Sequence, residues 1–215
     1  MMTVRSFVNA PVTSNCYVLF DKDLGEDCII IDPGSRSENE LVAYLTEEGL
    51  TPRHIILTHE HFDHCWGVNQ LVDRYHVPIV CSRLCAEAIQ DEKRNCSLFY
   101  GNGEGFRIDS GTFSTESLGN ALPFGRNEIR FFKTPGHTEA SISLVVGQYL
   151  FTGDTLIKEE RTVTKLPTGS SIKLRDSLSL YAKMQGKGYR VLPGHGEEFD
   201  LDGYNLNKCF KRRKA

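Results

Sequence analysis

The sequence predicts an α/β protein in which layers of sheet and helix form a single domain over residues 1–215. Short β-branched and aromatic runs recur along the chain, and stretches with helical periodicity follow several of them. No linker rich in proline, glycine and serine divides the sequence, and its 215 residues are enough to bury a substantial core. Hydrophobic residues at 40% and charged residues at 25% are ordinary for a globular domain.

Two strands and a helix are predicted in the first part of the chain. The runs at 14–20 and 27–32 have the β-branched and aromatic composition of strands, and an Asp-Pro-Gly turn ends the second. Ser37 and Glu40 form a capping box at the start of a helix, and Gly49 ends that helix.

The rest of the chain continues the alternation. A continuously apolar strand at 54–58 is of the kind buried on both faces of a parallel sheet. The segment 91–127 is glycine-rich and poor in periodicity, which indicates a long excursion with short strands. The other predicted elements are a helix marked by Val68, Leu71, Val72 and Tyr75, strands at 77–81, 128–136, 141–146, 149–154 and 190–196, and a helix around 172–184.

Three histidines and an aspartate follow the apolar strand at 54–58 within a few residues. His59 and His61 are two apart in a segment that leaves a strand, so their side chains point the same way and both reach one metal ion. Asp63 and His64 then face a second metal ion. Each histidine alone is typical of a polar loop, whereas the pattern H-x-H-x-D-H as a whole predicts a metal site.

Three later strand ends repeat this arrangement. His137 in TPGHT, Asp154 in FTGDT and His195 in LPGHG each follow a glycine, which permits a tight turn and a close backbone approach. Asp32 in IIDPG has a similar context. It either orients a ligand imidazole through the second ring nitrogen or serves only to form the turn.

On these residues the sequence resembles the metallo-β-lactamase-fold hydrolases, and among them glyoxalase II, the hydroxyacylglutathione hydrolases, in a short form without the C-terminal helical domain. The resemblance covers about residues 2–200 and implies an αββα sandwich, with two sheets back to back and helices outside. The motifs that carry it are THEHFDH at 58–64, PGHT at 135–138, TGDT at 152–155 and PGHG at 193–196.

The resemblance also implies a binuclear metal centre and its chemistry. A bridging hydroxide attacks a carbonyl, for which a thioester of the hydroxyacylglutathione type is the expected substrate, and Asp63 is the catalytic residue that orients the hydroxide. Two divalent ions are expected, zinc first, although mixed nitrogen and oxygen ligands also suit iron or manganese. The implied ligands are His59, His61 and His137 for the first metal, Asp63, His64 and His195 for the second, and Asp154 as the bridge.

Two alternatives have the same fold. A persulfide dioxygenase would use one iron, held by the equivalents of His59, His137 and Asp154, and a lactonase would use all seven ligands. Asp154 argues against hydrolysis of β-lactam antibiotics, because true β-lactamases generally lack this bridging aspartate. In the loop that follows it, Arg161 is a candidate for ordering the site or contacting the substrate.

The charge and the hydropathy of the chain limit its expected partners and its expected compartment. The net charge of -3 provides no basic field for nucleic acid or membrane, so a small-molecule substrate is expected. Without a signal peptide or a long apolar stretch, the chain is expected in the cytoplasm, and the basic run at 211–214 is interpreted as a solvated end.

The seven cysteines are expected to be reduced and mostly buried. Cys16 and Cys28 lie in strand-like runs and are interpreted as small core residues. Cys81 and Cys85, spaced C-x3-C with Cys96 further on, leave a second metal site as the alternative.

Overall fold

A computed structural model describes residues 2–100, 103–109 and 111–210. The chain divides into two compact units, Met1–Ser117 and Leu118–Ala215, and each contains one six-stranded sheet. Within the described residues, no helix has the length and apolar character needed to cross a membrane. The basic run at 211–214 lies outside the described residues.

The sheet of the first unit is mixed, and its strands lie side by side in chain order. The first three strands are antiparallel, and the third to sixth are parallel. The strands are β1 (Met2–Val8), β2 (Asn15–Asp21), β3 (Asp27–Ile31), β4 (Thr51–Ile56), β5 (Ile79–Cys81) and β6 (Thr112–Ser114). The helices are α1 (Asn39–Glu47), α2 (Phe62–Cys65), α3 (Val68–Tyr75) and α4 (Arg83–Ala88), with 3-10 turns at Lys22–Leu24 and Ser97–Phe99.

The end of β4 is buried, as the apolar run at 54–58 predicts, and so are β5 and all of β3 after Asp27, whereas Thr51 and Arg53 at the start of β4 are exposed. Because parallel strands end at the same edge of a sheet, the residues that follow β3 and β4 are brought together. The Asp32 amide donates to the Ile56 carbonyl at 3.0 Å, so the residue after β3 meets the end of β4. This edge carries the histidine-rich segment.

The start of α1 differs from the prediction. The capping box of Ser37 and Glu40 is wrong, because Glu38 occupies the N-cap position and makes no side-chain cap. The Glu38 carboxylate instead accepts from the Ser35 amide at 3.1 Å and is buried against Gly67, where a Cβ would lie 2.0 Å from Glu38 Oε1. Tertiary packing of Glu38 has replaced the local cap.

Burial raises the pKa of the Glu38 carboxyl to about 7, against the lowering effect of the Ser35 amide. The folded chain therefore keeps this proton over a pH range in which the unfolded chain has lost it. The stability that results is fully present below the unfolded pKa, near 4.3, and is lost as pH rises through about 7.

Wild type is thus expected to lose on the order of 2 kcal/mol of unfolding free energy between pH ~4.5 and pH ~8 through this carboxyl. Glu38→Gln, which has no proton to lose, is expected not to show this loss. Denaturant unfolding at a series of pH values measures this difference. Glu40→Gln, at an exposed position of the same helix, is the matched control and is expected to show the same loss as wild type. Parallel pH curves for wild type and Glu38→Gln would contradict the prediction.

The sheet of the second unit also follows chain order, and its strand pairs are antiparallel except β10 and β11. One helix packs on it through an apolar cluster that includes Leu150, Leu178 and Val191. The strands are β7 (Ala121–Phe124), β8 (Asn127–Lys133), β9 (Ile142–Val146), β10 (Tyr149–Gly153), β11 (Arg190–Pro193) and β12 (Phe199–Asp200). The helix is α5 (Ser171–Ala182), and a 3-10 turn spans Leu206–Phe210.

Strand direction places the ligand-type residues of the second unit at one edge of its sheet. Strands β8, β10 and β11 all run in the same direction, because β9 is antiparallel to both β8 and β10. Asp154 follows β10, His195 follows β11, and His137 follows β8 by a short turn. The Gly194 amide donates to the Gly153 carbonyl at 2.8 Å and joins two of these ends.

The cysteines are all free, and Cys16 and Cys28 are buried core residues as predicted. Cys81 and Cys85 are buried as well, and burial raises the pKa of the Cys85 thiol, which favours its protonated form. Among the described residues, the candidate metal-binding groups contain no cysteine. The alternative of a cysteine metal site is therefore not supported.

Candidate metal centre

Four of the predicted ligands form the first ligand group, His59, His61, Asp63 and His64, all buried in the first unit. The ring centroids of His59 and His61 are 4.8 Å apart, and those of His59 and His64 are 4.3 Å apart. His64 Nε2 lies 3.7 Å from Asp63 Oδ2. Concentrating these donors in a buried place costs free energy unless a cation compensates it, which is the arrangement typical of a metal site.

The backbone changes from extended to helical within this group. His61 has φ -62° and ψ 143°, and α2 begins directly after it at Phe62 and carries Asp63 and His64. Two contacts fix the turn: the Ser14 hydroxyl donates to the Asp63 carbonyl, and Gly34 packs against the same carbonyl. A Cβ at position 34 would lie 1.6 Å from Asp63 O, so only glycine fits there.

Asp32 determines which nitrogen of His64 carries a proton. Its carboxylate accepts from the Thr58 amide at 2.8 Å and the Thr58 hydroxyl at 2.6 Å, and Oδ2 lies 3.1 Å from His64 Nδ1. Because an ionised carboxylate only accepts, His64 Nδ1 must donate, which leaves the lone pair on Nε2.

The same reasoning extends to His59. The Thr58 hydroxyl donates its one hydrogen bond to Asp32, so its oxygen accepts from His59 Nδ1, 3.1 Å away. One carboxylate therefore fixes two imidazoles, His64 directly and His59 through Thr58. Both then present Nε2, the nitrogen available to a metal.

Asp32 also has a left-handed backbone conformation, with φ 52°. Aspartate tolerates this region better than most residues because its side chain bonds locally. The turn-forming role and the role of orienting an imidazole, which the sequence presents as alternatives, are thus both fulfilled by Asp32.

The second ligand group, His137, Asp154 and His195, lies in the second unit. Asp154 Oδ2 is 3.5 Å from Nε2 of His137 and 3.5 Å from Nε2 of His195. His137 Nδ1 is 2.9 Å from the Val163 carbonyl, and since a carbonyl only accepts, His137 also presents Nε2 as its lone-pair nitrogen. One carboxylate oxygen is therefore equidistant from two imidazoles.

The turns around the second ligand group use the predicted glycines. Gly136 has φ 151° and Gly153 has φ 48°, in the region that favours glycine. Side-chain hydrogen bonds then hold the neighbouring segments: the Thr155 hydroxyl donates to Thr134 O at 2.9 Å, and the Thr162 hydroxyl donates to Thr155 O at 3.0 Å. These bonds hold the loop that carries Val163 next to Thr155, the residue after Asp154.

The donor chemistry fits divalent metal ions. Both ligand groups offer imidazole nitrogens and carboxylate oxygens without thiolates, a set that suits zinc and tolerates iron or manganese. Arg161, the other residue predicted near the site, is exposed and lines a cavity of about 210 Å³ with residues 162–165. Of the groups that orient the ligand imidazoles, Thr58 and the Val163 carbonyl are the ones that the sequence does not single out.

Histidine and carboxylate groups, most of them buried, lie at the strand ends of two mixed sheets, an arrangement typical of metallo-hydrolases. The chain belongs to the metallo-β-lactamase superfamily, whose family model matches residues 9–195. An uncharacterized protein of Mycobacterium leprae is 33% identical over 211 residues, covering 91% of this chain and 92% of that protein. A hydroxyacylglutathione hydrolase of Hamiltonella defensa subsp. Acyrthosiphon pisum is 32% identical over 150 residues, covering 69% of this chain and 51% of that enzyme.

Solved structures agree with this family. The B3 metallo-β-lactamase BLEG-1 matches with a TM-score of 0.82 at 27% identity, covering 93% of this chain and 94% of that one. TTHA1623 in a di-iron-bound form matches with a TM-score of 0.77 at 25% identity, covering 92% and 94%. The predicted α/β class and metallo-β-lactamase fold are confirmed, and the extent of the domain, 1–215, stays a prediction.

Proposed function

We propose that the chain is a metal-dependent hydrolase with a binuclear centre, and that its substrate is a thioester of the hydroxyacylglutathione type. The observation that carries this proposal is the position of Asp154, whose Oδ2 lies 3.5 Å from both His137 Nε2 and His195 Nε2. A carboxylate oxygen equidistant from two imidazoles suits a bridge between two cations, each bound by one of them. The proposed ligands are His59, His61 and His137 for one ion, Asp63, His64 and His195 for the other, and Asp154 for both.

The first ligand group supports the same assignment. The ring of His59 is close to the rings of both His61 and His64, which are proposed ligands of different ions. Asp32 and Thr58 keep the Nε2 lone pairs of His59 and His64 available, without which neither imidazole can ligate. All seven proposed ligands are present, and a carboxylate orients two of them. This supports a working catalytic site over a metal-binding site that has lost its activity.

Bound divalent ions supply Lewis-acid polarisation of a carbonyl and make a water molecule acidic enough to react near neutral pH. The chain provides the orientation. Asp63, at the start of α2, is proposed to accept a hydrogen bond from the attacking water and so align it with the carbonyl carbon. Zinc is the proposed metal, and the di-iron-bound neighbour supports two sites whose ligands also accept iron.

The thioester is proposed on two grounds. A thiolate leaves readily with little need for protonation, so a site with a positioned nucleophile suffices without a general acid. A hydroxyacylglutathione hydrolase is also among the relatives, although this chain spans only about half of that enzyme's length.

Elemental analysis of the purified protein together with a hydrolysis panel tests the proposal. Close to two metal ions per chain and metal-dependent cleavage of small thioesters are expected, with little or no turnover of penicillins and cephalosporins. Lactones and glutathione persulfide complete the panel. Fast cleavage of β-lactams beside inert thioesters would contradict the proposal, and so would one iron per chain with oxygen uptake on the persulfide.

A further inference from the structure

An aromatic group in the first unit, formed by Phe62, Trp66, Tyr100 and Phe106, lies at the short helix that carries two proposed ligands. The ring of Phe62 lies 5.5 Å from that of Trp66 and 4.6 Å from that of Tyr100. Trp66 also stacks on Phe106 with centroids 5.8 Å apart and an interplanar angle of 17°. Because Phe62 begins α2 and Trp66 is its C-cap, these rings are fixed relative to Asp63 and His64.

Arg36 lies over this group. Its guanidinium carbon is 5.6 Å from the centre of the Trp66 ring, within the range of a cation–π contact. The residue is exposed, and across 2–100, 103–109 and 111–210 it forms no ion pair with an acidic side chain. A guanidinium that rests on an indole ring and keeps its N–H donors available is suited to bind an anion.

The backbone of Arg36 is attached to the ligand-bearing segment. The Gly67 amide donates to the Pro33 carbonyl at 2.9 Å, and Asp32 contacts His64. The Arg36 amide itself donates to Ala10 O at 2.8 Å. The backbone segment that carries Arg36 is therefore joined to α2 at His64 and to Gly67 just beyond its C-terminus, next to the proposed ligands.

We infer that Arg36, supported by Trp66, binds a carboxylate of the substrate and makes the enzyme selective for anionic thioesters over neutral ones. The inference deepens the proposed function and rests on it. The rings of the aromatic group offer an apolar surface to the methylene groups beside that carboxylate, while the guanidinium supplies a charge-assisted hydrogen bond. The competing interpretation is a solvated arginine whose stem merely covers an indole.

Arg74 provides the control for that interpretation. It is exposed, it lies 5.6 Å from the centre of the Tyr75 ring, and it belongs to α3 outside the aromatic group. Arg74→Gln therefore removes the same charge and the same kind of ring contact as Arg36→Gln. Only a specific site distinguishes the two variants.

Binding is measured by tryptophan fluorescence, because Trp66 is the single tryptophan of the chain. The probes are S-hexylglutathione, a thioether that hydrolysis leaves intact, and its diethyl ester, in which both carboxylates are masked. We expect a saturable change with the acid, about tenfold weaker binding of the acid in Arg36→Gln, and wild-type binding in Arg74→Gln. Added salt is expected to weaken binding of the acid and to leave the ester unaffected. Equal affinity for acid and ester, or equal losses in the two variants, would overturn the inference.

Activity separates the inference from the proposed function. For a glutathione thioester, Arg36→Gln is expected to lower kcat/KM about tenfold, and for its diethyl ester to leave kcat/KM unchanged. Arg36→Lys, which keeps the charge without the planar fork, is expected to recover part of the loss. Thioesters that carry one carboxylate, on either the acyl side or the thiol side, show which end of the substrate Arg36 binds. If Arg36→Gln lowers kcat/KM for neither of them, the inference is refuted.

The two failures differ in their readouts. If wild type cleaves no thioester while acid binding still depends on Arg36, the proposed reaction is wrong and the anion site stands. If thioesters are cleaved while Arg36→Gln and Arg74→Gln behave alike in both assays, the reaction stands and the anion site is wrong.

Discussion

Replacing Asp154 by alanine is expected to lower thioester hydrolysis by about a hundredfold or more, on the order of 3 kcal/mol of transition-state stabilisation. A bridging carboxylate neutralises part of the repulsion between two divalent cations and fixes the place of each. Alanine removes both effects while leaving three proposed ligands for each ion. The metal content is therefore expected to fall towards one ion per chain.

Two variants separate the causes in this experiment. Asp154→Asn keeps the shape and one acceptor but removes the charge, so its metal content is expected between that of wild type and that of alanine. Asp176→Ala removes the same charge from an exposed position of α5 and is expected to retain metal and activity. Elemental analysis and steady-state hydrolysis are measured side by side, with circular dichroism as the check on folding. If Asp154→Ala keeps two ions and near-normal turnover, the bridging assignment is wrong.

The central parallel strands of the first sheet were predictable, because an apolar segment of this length is stable only where both of its faces are covered. The runs that became β5, the end of β4 and β3 after Asp27 are continuously apolar, and a short segment of that kind is stable when parallel neighbours and helices cover both faces. The ligand motifs follow strand ends for a related reason, since parallel strands deliver the residues after them to one edge. Sequence order alone therefore indicates which side chains converge within each unit.

Elements with weaker local signals were not predicted. Strand β1 is an edge strand with alternating partial exposure, and α4 has only six residues, too few for a periodic pattern. The Ser37 and Glu40 capping box satisfied the local rule and failed, because burying Glu38 beside Gly67 is a tertiary contact that no local pattern contains. Secondary-structure propensity describes one segment of the chain, whereas contacts with neighbouring segments decided the structure of these elements.

The candidate site likewise contains a part that the sequence predicts and a part that it does not. The candidate ligands are visible as residue types in a pattern, but the groups that set their tautomers are not. Thr58 is inconspicuous beside a histidine cluster, and a backbone carbonyl such as that of Val163 leaves no trace in a sequence. Gly34 reads as an ordinary turn residue, and only its contact with the Asp63 carbonyl explains why a side chain is excluded there.

Replacing Asp32 by asparagine is expected to weaken metal binding by about 10- to 100-fold, although Asp32 is not a proposed ligand. Asparagine tolerates the left-handed backbone at this position, so the change isolates the carboxylate. Only one oxygen then remains for the donors of Thr58 and His64. If it accepts from the Thr58 amide, the new NH2 group faces His64 Nδ1 and favours the tautomer with the proton on Nε2, the nitrogen that should bind metal.

Variants of Thr58 separate the contribution of His59 to this effect from that of His64, the two histidines that Asp32 orients. Thr58→Val removes the hydroxyl that connects His59 to Asp32 and keeps the shape of the side chain, while His64 keeps its direct contact. Metal affinity is expected to fall by less than in Asp32→Asn, and Thr58→Ser, which restores the hydroxyl, is expected to behave like wild type. Competition with a chromophoric chelator gives the affinities, and thermal unfolding of the metal-free proteins shows whether the fold is affected. Since the tautomer argument predicts a role for the hydroxyl alone, equal affinities for the valine and serine variants would show that Thr58 does not orient His59.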